Sequence, residues 1–132
     1  MTVHNTLLPP GWPRPKGYAN GIAARGTTIF TGGIIGWNEE ERFAASDLAG
    51  QFEQVLRNTL AVLAEGGAGP EHIVRMTWYV TDVAEYRSSL PAIGAAYRSL
   101  IGKNFPAMAV VEVSALVEPE ARIEIETTAV VP

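Results

Sequence analysis

The chain has 132 residues, 47% hydrophobic and 18% charged, with a formal net charge of −4 and no cysteine. That length suits one domain able to bury about two-thirds of its unfolded surface. Without cysteine there is no disulfide framework, thiol nucleophile or thiolate metal site, and the scattered basic residues give no electrostatic footprint for nucleic acid.

Residues 1–16 are broken by Pro9, Pro10, Pro13 and Pro15, which predicts an extended lead-in arm. The segment lacks the continuous apolar core of a signal peptide, and no window reaches the roughly 18 apolar residues of a membrane span. The default expectation is a cytoplasmic protein. His4 and His72 lack ligand spacing, so neither a metal nor another cofactor is expected. Arg14 and Lys16, at the end of the arm, either serve solubility or border a pocket entrance.

Residues 22–25 and 27–31 flank Gly26 at the spacing of a tight hairpin. Gly32-Gly33 then ends the second strand, marking a close backbone approach or a positive-φ turn. The spacing fits neither a dinucleotide fingerprint nor a P-loop. The loop over 35–42 carries Trp37, whose first reading is packing, and an acidic run that reads as a solvated turn.

Ser46 or Asp47 caps a helix reaching about Glu65, with Leu48, Phe52, Val55, Thr59, Val62 and Leu63 as its apolar stripe. Gly66-Gly67 and Gly69-Pro70 stop it. Residues 74–81 alternate as a strand with bulky groups on both faces, which predicts burial against helices on one side and another subunit on the other. Asp82 closes that strand. A second helix is expected over 84–101, with Pro91 confined to its early part or marking a break.

Two C-terminal strands, 105–113 and 122–126, are expected to form a hairpin. Met108, Val110 and Glu112 share one face of the first, while Ala109, Val111 and Val113 share the other. In the second, Ile123 and Ile125 oppose Glu124 and Glu126, whose carboxylates lie roughly 6.5 to 7 Å apart by strand rise. A solvated sheet face is one reading of that pair; a chemical site is the other. The order is therefore β-β-α-β-α-β-β, with two helices on one face of a mixed sheet.

Phe105-Pro106-Ala107, Glu112-Val113 and Ile123-Glu124-Ile125-Glu126 together resemble the C-terminal signature of the RidA/YjgF (Rid) family, also labelled endoribonuclease L-PSP. The likeness extends from about residue 15 to 131 and takes in Gly17-Tyr18-Ala19-Asn20-Gly21 and Phe30-Thr31-Gly32-Gly33. It implies a single α+β domain of chorismate mutase-like fold over 1–132. It also implies a homotrimer with active sites between subunits, acting on imine or enamine metabolites. Glu124 matches the family glutamate that orients the attacking water, and Tyr18 matches its pocket tyrosine. Gly32, Gly33 and Ile34 stand where the family has Ser-Gly-Gln, and Trp37 lies in a loop near the pocket rim. Met108 stands in place of the arginine that clamps a substrate carboxylate, which removes charge-assisted hydrogen bonds worth about 1.5–3 kcal/mol each.

Two readings stay open. One is a deaminase for imines that are apolar, are held through Arg14, Lys16 or Arg25, or are ring-cleavage products similar to 2-aminomuconate. The other is a non-catalytic relative that binds a small metabolite as sensor or interaction partner. RNA cleavage rests on the family label alone, and no nucleic-acid or membrane partner is expected.

Overall fold

A computed structural model describes all 132 residues, Met1–Pro132. Its elements run β1 (Asn5–Leu7), β2 (Gly21–Ala23), β3 (Thr27–Phe30), β4 (Ile34–Ile35), α1 (Leu48–Glu65), β5 (Ile73–Val80), α2 (Val83–Ser88), α3 (Leu90–Leu100), β6 (Ala107–Glu112) and β7 (Ile123–Val131). The main sheet has the order β3-β7-β5-β6, with β4 on the other half of the β7 edge. β5 and β6 are parallel, joined by the helical crossover that parallel neighbours require; the remaining pairs are antiparallel.

Both expected hairpins are replaced by non-local pairings. β5 lies between β6 and β7, and the connection over 113–122 is far longer than a two- to five-residue hairpin loop. That length lets the chain step over β5, whose two edges are both paired. Likewise β2 pairs with β1 and β3 with β7, so the arm contains a strand and the stretch around Gly26 is no hairpin. Gly26 has φ 142°, and a Cβ there would lie 2.0 Å from the Val131 carbonyl oxygen. This glycine permits a close approach to the end of β7, a requirement that mimics a turn signal in the sequence.

Three helices, not two, cover one face. Asp47 caps α1, its carboxylate accepting from the Gly50 N–H at 3.3 Å. Leu48, Phe52, Val55, Leu56, Thr59 and Leu63 are buried; the stripe advances through Leu56 and leaves Val62 43% exposed. Pro91 sits in the first turn of α3, where its missing N–H has no helical partner to lose, so the expected second helix breaks at Ser89. Beneath the helices lie Met76, Trp78, Val80, Ile123 and Ile125. Each of these fully buried side chains contributes about 1.5–3 kcal/mol through loss of apolar surface from water.

Polar clasps fix the long connection. The buried Gln51 amide donates to the carbonyls of Ala45 (3.2 Å) and Glu120 (2.9 Å) and accepts from the Arg122 N–H (2.8 Å). Glu85 accepts from the Leu48 N–H at the start of α1 and pairs with Arg122 at 2.9 Å. Glu112 accepts from the Val83 N–H, so it serves the start of α2.

The opposite face of the sheet carries Arg75, Thr77, Tyr79, Ala109, Val111, Glu124, Glu126 and Thr128, and no helix covers it. Phe30 at its border is 73% exposed and Val111 44%. Apolar groups on an uncovered sheet face favour association with another surface.

Candidate functional site

The matched residues fall into two groups on opposite sides of the sheet. Glu124 pairs with Tyr79 and Ile35 across the strands and projects away from the core that Ile123 and Ile125 enter. β3 and β4 are one edge strand interrupted at 31–33. The Thr31 N–H donates to the Thr127 carbonyl at 2.8 Å, while the Thr31 hydroxyl accepts from the Thr127 N–H at 3.0 Å. That hydroxyl replaces the missing ladder carbonyl and in turn donates to Gly32.

The interruption brings Gly33 under Glu124. A Cβ on Gly33 would stand 2.2 Å from Glu124 Oε2, so only glycine leaves the carboxyl where it lies. Gly32 has open space around its missing side chain. Neither glycine has a positive φ, so close approach explains Gly33 but not Gly32. Glu126 is engaged differently, accepting from the Tyr79 hydroxyl at 2.7 Å. This bond, helped by desolvation and by the charges of Glu126 and Glu124, holds the Tyr79 phenol above its ordinary pKa.

Tyr18 and Met108 lie on the helix side, where they line a cavity of about 600 Å³. Met108 pairs with the buried Met76 on β5, and the Ala19 N–H donates to the Pro106 carbonyl at 2.9 Å, holding Tyr18 beside β6. The walls are aromatic. Trp78 meets Tyr86 edge-on at 6.4 Å, and Tyr97 stacks on Phe105 at 6.1 Å. Tyr97 donates its hydroxyl to the Asn104 carbonyl, and burial pushes the phenols of Tyr97 and Tyr86 upward in pKa.

Ile34 packs toward the helical core, and Trp37 rests against Phe43 at 6.0 Å; neither lines that cavity. Lys16 does line it, Arg14 lines a neighbouring cavity of about 400 Å³, and Arg25 lines neither. Sequence reading missed Thr31, whose role depends on a strand break, and Arg98 of α3, another lining residue. The spacing of Leu90, Gly94, Tyr97 and Arg98 along one helix face was the available signal for the latter.

The endoribonuclease L-PSP family model matches residues 13–131, almost the whole chain. The chain belongs to the Rid family. A RutC family protein of Synechocystis is 33% identical over 128 residues, covering 91% of each chain. The 2-iminobutanoate/2-iminopropanoate deaminase of Escherichia coli is 31% identical over 116 residues, covering 86% of each. Among solved structures, the Rid protein YyfB of Yersinia pestis superposes with a TM-score of 0.85 at 30% identity, covering 97% of this chain and 98% of that one. These likenesses and the strand order establish the α+β, chorismate mutase-like fold for this Rid protein. No helix in it is long and apolar enough to cross a membrane.

Proposed function

We propose that this Rid protein hydrolyses a reactive imine or enamine metabolite, with Glu124 positioning and activating water. The observation that carries the reading is the Glu124 carboxyl resting over Gly33 on the uncovered sheet face. There one carboxyl can take a proton from water as the oxygen attacks the C=N carbon, then deliver it to nitrogen. The carbinolamine collapses, C–N breaks, and ammonia leaves with a carbonyl product. For an enamine, the same acid first protonates carbon to give the imine.

Tyr18 and Met108 face away from Glu124 within one chain. A second copy laid on the uncovered face brings one chain's cavity to the other's carboxylate, in keeping with the family trimer. Gly32 leaves the backbone bare for substrate at that junction.

A binding-only role is favoured by two observations: Met108 offers no charge in the cavity, and open space surrounds Gly32 where the family has serine. RNA cleavage gains nothing. His4 donates from Nε2 to the Val130 carbonyl at 2.9 Å and His72 Nδ1 accepts from the Gly69 N–H, so both imidazoles serve the backbone.

The test is ammonia release from freshly generated imines of alanine, leucine and phenylalanine, and from 2-aminomuconate, with wild type and Glu124→Gln. Acceleration by wild type that falls at least about 100-fold in the variant is expected of a lost acid–base group. A folded wild type inert toward every one of these substrates would leave the binding reading standing.

A further inference from the structure

The aromatic cavity on the helix side has a charge at odds with the rest of the molecule. The chain carries a net −4, yet the cavity lining includes Lys16 and Arg98 and no carboxylate. Neither cation is spent internally, for the arginine ion pairs of the chain join Arg57 to Glu53 and Arg122 to Glu85. Arg98 folds back along α3 over Gly94, where a Cβ would come within 3.2 Å of its Nη1. The absent side chain leaves room for a guanidinium at the cavity wall, one turn toward the helix N-terminus as helical side chains lean.

We propose that this cavity takes an organic acid with an aromatic or branched apolar body, its carboxylate anchored by Arg98 of α3 and Lys16 of the arm. The apolar body lies among Trp78, Tyr97, Phe105 and Met108, which would meet small acids with empty space. An aromatic cage can also hold a cation, but two positive groups and no acid in the lining oppose one. Arginine and lysine differ in consequence: the planar guanidinium meets a carboxylate with two parallel hydrogen bonds, which an ammonium cannot reproduce. The anchor thus comes from a helix and the arm, and Met108 is free to be apolar. This inference rests on the cavity being the substrate side of the site in the proposed reaction.

The experiment measures binding calorimetrically with phenylpyruvate, a stable oxo counterpart of the phenylalanine imine, alongside its methyl ester and pyruvate. Wild type is expected to bind phenylpyruvate about tenfold or more tightly than either comparison ligand. Arg98→Met should lose that advantage over the ester, Arg98→Lys should recover part of it, and Lys16→Met should weaken the acid alone. Arg57→Met, an equal charge change on α1 outside the cavity lining, should leave Kd unchanged. No binding of phenylpyruvate by wild type at millimolar concentration would overturn the proposal. So would Arg98→Met and Lys16→Met variants that bind it as wild type does. The two readings fail separately: Glu124→Gln should keep the phenylpyruvate Kd while losing turnover. The binding pattern without turnover by any variant refutes only the reaction. Full turnover of dilute phenylalanine imine by Arg98→Met refutes only the anchor.

Discussion

Glu124 and Gly33 are coupled by clearance rather than by a bond. A methyl group on Gly33 would overlap Oε2 at 2.2 Å, so Gly33→Ala must swing the carboxyl aside or push the edge strand outward. The side chain is only partly buried and can move into solvent, so stability should change by no more than about 1 kcal/mol. Ammonia release should fall at least tenfold, since acid–base transfer tolerates little displacement. Urea unfolding beside the rate assay separates the two effects, and an unaltered rate would show that the carboxyl position over Gly33 does not matter. Thr31 makes the opposite case. Thr31→Val keeps the volume but leaves the buried Thr127 N–H without its acceptor. A loss of about 1–3 kcal/mol in the same unfolding assay is expected.

Among the elements, local periodicity foretold faces better than partners. The alternation in β6 and β7 placed Ile123 and Ile125 inward and Glu124 outward correctly, because side-chain period follows from strand geometry alone. Pairing was misread at both proposed hairpins. Nothing in residues 105–126 records that β5, from 25 or more residues upstream, occupies the place between β6 and β7. Gly26 misled for a related reason, since the carbonyl that demands glycine there belongs to Val131 at the other end of the chain. Helix α1 was legible through its Asp47 cap and glycine stop. The break before α3 was legible only as an alternative, because Pro91 suits both the start of a helix and its interruption. The candidate site divided likewise: Glu124 and Tyr18 were proposed from motifs, whereas the cavity position of Arg98 required knowing which face of α3 meets a cavity. α3 also predicts a pH response. Tyr97, and Tyr86 of α2, are held neutral by burial, with folded pKa values above the ordinary phenol value. Above about pH 10 the unfolded chain releases these protons while the folded one retains them, so unfolded protein binds fewer protons and stability falls as pH rises. The contribution is complete below about pH 10 and disappears as pH rises through the folded values. Chemical unfolding between pH 9 and 12 should show this decline, and Tyr97→Phe should flatten it. An equal slope in the variant would assign the loss to other groups.

At the scale of the whole molecule, the sheet divides the candidate site residues: Glu124 and Gly33 on the uncovered side, Tyr18 and Met108 on the helix side. A single chain cannot bring them together without breaking β5 or β7, the central strands of the sheet. A ring of copies can, provided each uses a different patch to meet its neighbour, which is the heterologous contact that closes into a cycle. Such an arrangement predicts complementation. Glu124→Gln removes the acid–base group from every copy, while Met108→Trp fills every cavity; each homogeneous oligomer should release ammonia poorly. When the two variants are unfolded together at equal amounts and refolded, about one site in four pairs an intact cavity with an intact carboxylate. Activity should therefore return to about a quarter of wild type in the mixture, yet not when the variants are refolded apart and then combined without exchange. Val111→Glu, which adds charge to the uncovered face beside Tyr79, should leave the circular dichroism of the folded chain intact while reducing its sedimenting mass to that of one copy. It should abolish ammonia release as well. Co-refolded oligomers of mixed composition that stay inactive would show that the two half-sites serve separate purposes. Full activity in monomeric Val111→Glu would place the whole reaction within one chain, with Glu124 reaching a substrate that never enters the aromatic cavity.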